Sequence, residues 1–129
     1  QCFGGYLKKE SFEYDHPTEL ARITQTLKDV AAPAMFASGD VHFSELMKIE
    51  KARVGYETYE VTSSSILSTT NPIQDTKKVN PRRLTSTWHH NFVIIDSDPT
   101  KPNGIDFRVR SVGRRLSLYF DKTCSVRRV

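Results

Sequence analysis

Hydrophobic positions repeat most clearly between residues 15 and 33. Leu20, Ile23, Leu27, Val30 and Ala31 recur at three- and four-residue steps, the period of one helix face. Asp15-His16-Pro17-Thr18 precedes them, with Asp15 or Thr18 as cap and proline near the first turn, and Pro33 stops the run. The pattern predicts an amphipathic helix of about four turns. Upstream, Phe3, Tyr6, Leu7, Phe12 and Tyr14 are strand formers and Gly4-Gly5 supplies a bulge or turn, so residues 3–14 read as a hairpin.

Downstream the period shortens. Val41–Lys51 fits strand alternation through Val41, Phe43, Met47 and Ile49, and a helix through Phe43, Leu46, Met47 and Val54; strand is preferred. Gly55–Val61 alternates aromatics with charges, as a half-buried strand does. Residues 68–87 are rich in Ser, Thr, Asn and Pro, with Asn71-Pro72 and Asn80-Pro81 as breakers, and read as a long exposed loop. Phe92-Val93-Ile94-Ile95 is a continuous apolar run, expected to be the central strand. Asp98–Gly104 is a turn. Ile105, Phe107 and Val109 then alternate with Asp106, Arg108 and Arg110, and Leu116, Leu118 and Phe120 with Ser117 and Tyr119. The expected fold is α+β: one N-terminal amphipathic helix packed on an antiparallel sheet, in a single domain spanning residues 1–129.

Length agrees, since 129 residues is one domain and enough to build a core. No stretch approaches the roughly 18 apolar residues of a membrane helix, so no membrane contact is expected. No signal-peptide pattern is visible. The two cysteines, Cys2 and Cys124, stand near opposite ends. In an oxidising compartment they would close a disulfide around nearly the whole chain, which the loop-entropy model values at roughly 4–5 kcal/mol. The alternatives are two separate buried thiols, or a lipidated Cys2. Charge is uneven: residues 1–60 hold 7 Lys/Arg against 10 Asp/Glu, and residues 61–129 hold 12 against 5. A basic C-terminal half attracts phosphate backbones or anionic surfaces, or is simply a solvated face.

Chemistry-bearing patterns are sparse. The histidines are His16, His42, His89 and His90, with no CxxC or HExxH spacing, so no metal or other cofactor is expected. No Gly-x-Ser-x-Gly elbow is present, and Ser63-Ser64-Ser65 reads as loop. Glu57 and Glu60 flank Tyr59 on opposite faces of a strand; one of them beside a histidine would make a general base, against the commoner cross-strand ion pair. Arg82, Arg83, Arg108, Arg110, Arg114, Arg115, Arg127 and Arg128 supply charge, and Tyr56, Tyr59, Trp88 and Tyr119 supply stacking surfaces, for contact with RNA or a protein partner. No RNP, KH or zinc-finger motif accompanies them.

Taken in order, an opening cysteine, a Gly-Tyr hairpin, one helix, a basic sheet and a closing cysteine resemble the RNase-like effectors secreted by powdery mildew fungi. Those look like derivatives of the fungal guanyl-specific ribonucleases. Cys2-Phe3-Gly4-Gly5-Tyr6 looks like the start of the mature effectors, and Cys124 with Arg127-Arg128 like their end. Tyr59-Glu60-Val61 resembles the ribonuclease strand that carries the catalytic glutamate. Asp40-Val41-His42 is similar to the tyrosine-proline-histidine segment of active enzymes, with Asp40 in place of the tyrosine. Phe92–Asp96 looks like the strand after the enzyme's arginine, where His90 and Asn91 stand here. The last catalytic histidine would fall near Arg108 or Arg110.

A base, Glu60, and a partner, His42, thus survive, while the general acid and one phosphate-binding group have no match. The resemblance implies a ribonuclease-like fold with Cys2 and Cys124 bridged, no catalysis, and virulence or avirulence function. It implies a monomer, secreted and then acting in the host cell cytoplasm, that binds a host plant protein or immune receptor, with RNA as a further partner. The candidate contact residues are Arg82, Arg83, Arg108, Arg110, Arg114 and Arg115. The rival readings are an active secreted ribonuclease, and a bacterial periplasmic or surface structural protein such as a lipoprotein or minor pilin.

Overall fold

Pro17–Asp29 form α2, the longest helix among the described residues, where the spacing predicts it. The computed structural model describes residues 1–4, 11–30, 32–73, 79–99, 102 and 104–128. Pro17 opens α2, where its missing N–H costs nothing, and the chain turns extended at Val30. The buried stripe is narrower than the apolar spacing suggests. Leu20 and Thr24 are buried and Leu27 packs on the core, but Ile23 and Val30 are each 45% exposed. Thr24 is tolerated inside because its hydroxyl donates to the Ala21 carbonyl.

A second, short helix, α1 (Phe12–Asp15), stands where the hairpin's return strand was expected. Ser11 caps it, its hydroxyl accepting from the Tyr14 N–H at 3.2 Å. The N–H groups of Phe12 and Glu13 donate to the carbonyls of Gln1 and Cys2. Local capping therefore wins over the strand propensity of Phe12 and Tyr14. The hairpin's other residues, Tyr6 and Leu7, lie outside the described residues.

Two sheets replace the single antiparallel one. The first contains β1 (Phe36–Ser38), β2 (Ser44–Ile49), β3 (Thr58–Thr62) and β4 (Arg83–Thr87), in the order β1-β3-β2-β4. Its β1–β3 pair is parallel and the rest antiparallel. A third short helix, α3 (Lys51–Val54), links β2 to β3 and ends at Gly55, whose φ of 89° suits glycine. β4 lies inside the segment read as a loop: Thr85 and Thr87, β-branched, pair with Leu46 and Ser44 of β2. Residues 74–78 of that segment are outside the described residues.

The second sheet is antiparallel, β5 (Asn91–Asp98), β6 (Gly104–Gly113) and β7 (Leu118–Arg127) in chain order. The apolar run 92–95 is its edge, not its centre; Phe92 and Ile95 are 41% and 39% exposed. Leu116, expected in a strand, sits in the 3-10 turn Arg114–Leu116 that joins β6 to β7. Leu46 and Val61, opposite one another on β2 and β3, join Phe107, Val109, Phe120 and Val126 in one buried cluster. Each such side chain contributes about 1.5–3 kcal/mol by leaving water. The other face of β3 is covered as well, so Thr58, Glu60, Val61 and Thr62 are all buried and the expected half-buried alternation fails.

The expected disulfide is absent. Cys2 and Cys124 are free thiols far apart, the first half-buried and the second buried. The Cys2 N–H is held by Glu60, on one face of β3, while Cys124 on β7 lies beside Tyr59, which points to the other face. The strand stands between them. Burial pushes both thiols up, keeping them protonated.

Candidate ligand-binding site

The best-placed catalytic candidate is not free to act. Glu60 is fully buried at the centre of the first sheet. Its Oε1 accepts from the Cys2 N–H at 2.7 Å and from the Ser38 hydroxyl at 2.6 Å, and its Oε2 from the Phe3 N–H at 2.8 Å. Burial pushes its carboxyl above the ordinary range, and the three donors pull it back part of the way. Residues 1–3 thus lie across the polar face of β3. Glu45, on the same face of the sheet, is equally committed. It is 1% exposed and accepts from Arg83 at 2.7 Å, from Asn80 at 3.2 Å and from the Gln1 amide. Glu57, the other candidate, is exposed and ion-paired with Lys48. His42, the proposed partner, is exposed in the left-handed region at φ 62° on the β1–β2 loop, where its N–H donates to Ser64. Among the described residues no hydrogen bond joins His42 to Glu60.

Most of the expected contact arginines are used internally. Arg82 donates to Glu13 at 2.8 Å, to Glu50 at 2.7 Å and to the Gly4 carbonyl, and its guanidinium lies over the Phe3 ring. It ties the N-terminal segment and α1 to β4. Burial alone would push Glu13 up, but the Arg82 hydrogen bond, the Gly4 N–H and the Arg82 and Arg53 charges outweigh it and hold the carboxyl below its usual range. Arg83 is spent on buried Glu45. Arg108 pairs with Asp121 and Arg110 with Asp96, each at 2.6 Å, across the outer face of the second sheet. Arg127 pairs with Asp106, and Arg128 donates to the Leu27 and Lys28 carbonyls at the C-terminal end of α2. Arg114 and Arg115 are exposed and have no carboxylate partner among the described residues.

Of the four stacking candidates, Tyr56 is buried with its hydroxyl accepting from the Ala34 N–H, and Tyr59 is half-buried between the sheets. Trp88 and Tyr119 come together, with His89 between them. The Trp88 and His89 ring centroids are 4.2 Å apart, and those of His89 and Tyr119 4.8 Å. The rings stand at a small cavity of about 230 Å³ lined also by Thr70, His90 and Arg114. Sequence reading named Trp88, Tyr119 and Arg114 separately. It did not place His89 as the middle ring, because that depends on β7 returning beside the end of β4. The available signal was Gly113, a glycine at a strand end, which marks close approach.

No family model matches the chain, and no curated protein or solved structure is significantly similar to it.

Proposed function

We propose that this chain is a binding domain on a ribonuclease-like scaffold that runs no chemistry of its own, a secreted effector that acts by recognising a host protein or RNA. One observation carries the reading: Glu60, which stands where the resemblance puts the catalytic base, has both oxygens engaged by Cys2, Phe3 and Ser38 and no exposed surface. A general base must reach the proton it abstracts within about 2.6–3.2 Å. Glu60 reaches only the chain's own amides and a serine. Arg114 and Arg115 form an adjacent pair of arginines without a carboxylate partner among the described residues, on a turn between two strands, which is where scaffolds present recognition residues.

The test is cleavage of labelled single-stranded RNA by the purified protein and by Glu60→Gln. The expected result is no cleavage above the buffer control with either protein. Cleavage by the native protein that disappears in a folded Glu60→Gln variant overturns the reading and makes the chain an enzyme.

A further inference from the structure

The cleft at the junction of β4 and β7 combines flat ring faces with one guanidinium, Arg114, that has no carboxylate partner among the described residues. Trp88 and His89 are tilted by 38° and His89 and Tyr119 by 41°, so the three rings form a stepped ladder rather than a packed plug. Tyr119 remains 37% exposed. Its ring rests directly on the backbone: a Cβ added to Gly113 would sit 2.2 Å from the Tyr119 Cε2. Glycine at 113 is therefore what lets the ring lie down at the cleft mouth. His90 points its Nδ1 at the Ser65 carbonyl, 3.0 Å away. Only an Nδ1–H can satisfy that oxygen, which leaves Nε2 as the ring's available polar atom.

The turn beside the cleft is strained. Arg115 and Leu116 are held at φ 57° and 61°, a region that residues with a Cβ rarely adopt. Strain of this kind persists where surrounding structure over-determines it, and it clusters at ligand sites. Here it turns Leu116 outward, 83% exposed, and leaves Arg114 lining the cavity.

From this arrangement we infer that the Trp88–His89–Tyr119 cleft binds a nucleoside phosphate, its base stacked on the exposed ring ladder and its phosphate held by Arg114. The two halves of the ligand follow from the two halves of the site. Stacking on aromatic rings accepts any base because every base has a π-face. A guanidinium presents a planar fork that fits phosphate oxygens. A cavity of about 230 Å³ is below the range of drug-sized pockets, so it seats at most one base, with the sugar and phosphate at its rim, and excludes a dinucleotide cofactor. That base can belong to a free mononucleotide or to one residue of a single-stranded RNA. The assignment rests on the binding-domain reading above, since it places a ligand in the cleft and no reaction.

Trp88 is the only tryptophan in the chain, so its fluorescence reports this cleft alone. The protein is titrated with adenosine monophosphate, with a six-residue oligoadenylate, and with inorganic phosphate. The expected result is saturable quenching by the first two, with phosphate competing but not quenching by itself. Tyr119→Ala should weaken binding by about 5- to 150-fold, the loss expected for one stacking ring. Tyr119→Phe should restore it, and Arg114→Gln should weaken it by roughly tenfold while leaving the circular dichroism spectrum unchanged. Tighter binding of the oligomer than of the monomer assigns the cleft to a strand; equal affinities assign it to the free nucleotide. Absence of quenching by both, or quenching untouched by Tyr119→Ala and Arg114→Gln, overturns the inference. Cleavage of the oligomer during titration would break the non-catalytic reading and leave the cleft's assignment standing.

Discussion

Arg82 and Glu60 show how much a single side chain's meaning depends on its partners. In the sequence, Arg82-Arg83 reads as a basic pair for an outside partner and Glu60 as a base. In the structure both are braces. Arg82 joins Glu13, Glu50 and the Gly4 carbonyl, and its side chain is only 11% exposed. Removing Arg82 leaves Glu13 with Arg53 at 2.7 Å and Glu50 half exposed to solvent, so the loss is below that of a fully buried pair, about 1–3 kcal/mol. The pH dependence has a definite sign. The Glu13 and Glu50 carboxyls are held below their ordinary values when folded. Their stabilisation is therefore complete above the unfolded carboxylate range and disappears as pH falls through the lowered folded values. Arg82→Met should melt well below the native protein at pH near 7, and the gap should narrow as the buffer is taken towards pH about 3. Parallel melting curves across that range would show that the cluster contributes little. The residue types of this cluster were legible in the sequence. Their pairing was not, because Glu13, Glu50 and Arg82 meet only after α1, β2 and β4 have been placed.

At the scale of elements, period carried α2 well and located β2 and β3 as strands, but the burial of both faces of β3 overrode the alternation expected there. The four-residue run Phe92–Ile95 has the composition of a central strand, yet β5 has β6 on one side only. A continuous apolar run identifies a strand, not its place in the sheet. Thr85-Ser86-Thr87 looks like loop by polarity, but β4 is an edge strand on β2 and hides little apolar surface. The β6–β7 connection is the element with the clearest consequence for function. Gly113 must be glycine for Tyr119 to rest where it does. Gly113→Ala should push the ring out of the cleft, shift the Trp88 emission and near-ultraviolet dichroism, and destabilise by about 1–3 kcal/mol, the usual range for forcing a group into a packed contact. An unchanged Trp88 spectrum would mean that the ladder does not depend on that contact.

At the scale of the whole molecule, α+β class followed from period, but the division into two sheets did not. It arises because β5–β7 form a separate meander whose inner residues, Phe107, Val109, Phe120 and Val126, share a core with Leu46 and Val61. That arrangement puts β3 between two layers. One layer is the second sheet, beside Tyr59; the other is the N-terminal segment on Glu60. The same layering separates Cys2 from Cys124, so the bridge suggested by their positions near the two ends has no geometry to form in. It also seals the only carboxylate that the ribonuclease resemblance makes catalytic.

The sealing of Glu60 is the claim on which the binding reading stands, and hydrogen exchange of the Phe3 amide measures it directly. That N–H is buried and donates to Glu60 at 2.8 Å. In the native protein it should exchange at least about a hundredfold more slowly than in an unfolded chain, and Glu60→Ala should speed it by roughly tenfold or more as the acceptor is lost. Rapid exchange of the Phe3 amide in the native protein would contradict the account: the N-terminal segment would then be lifting from β3, with Glu60 open to a substrate.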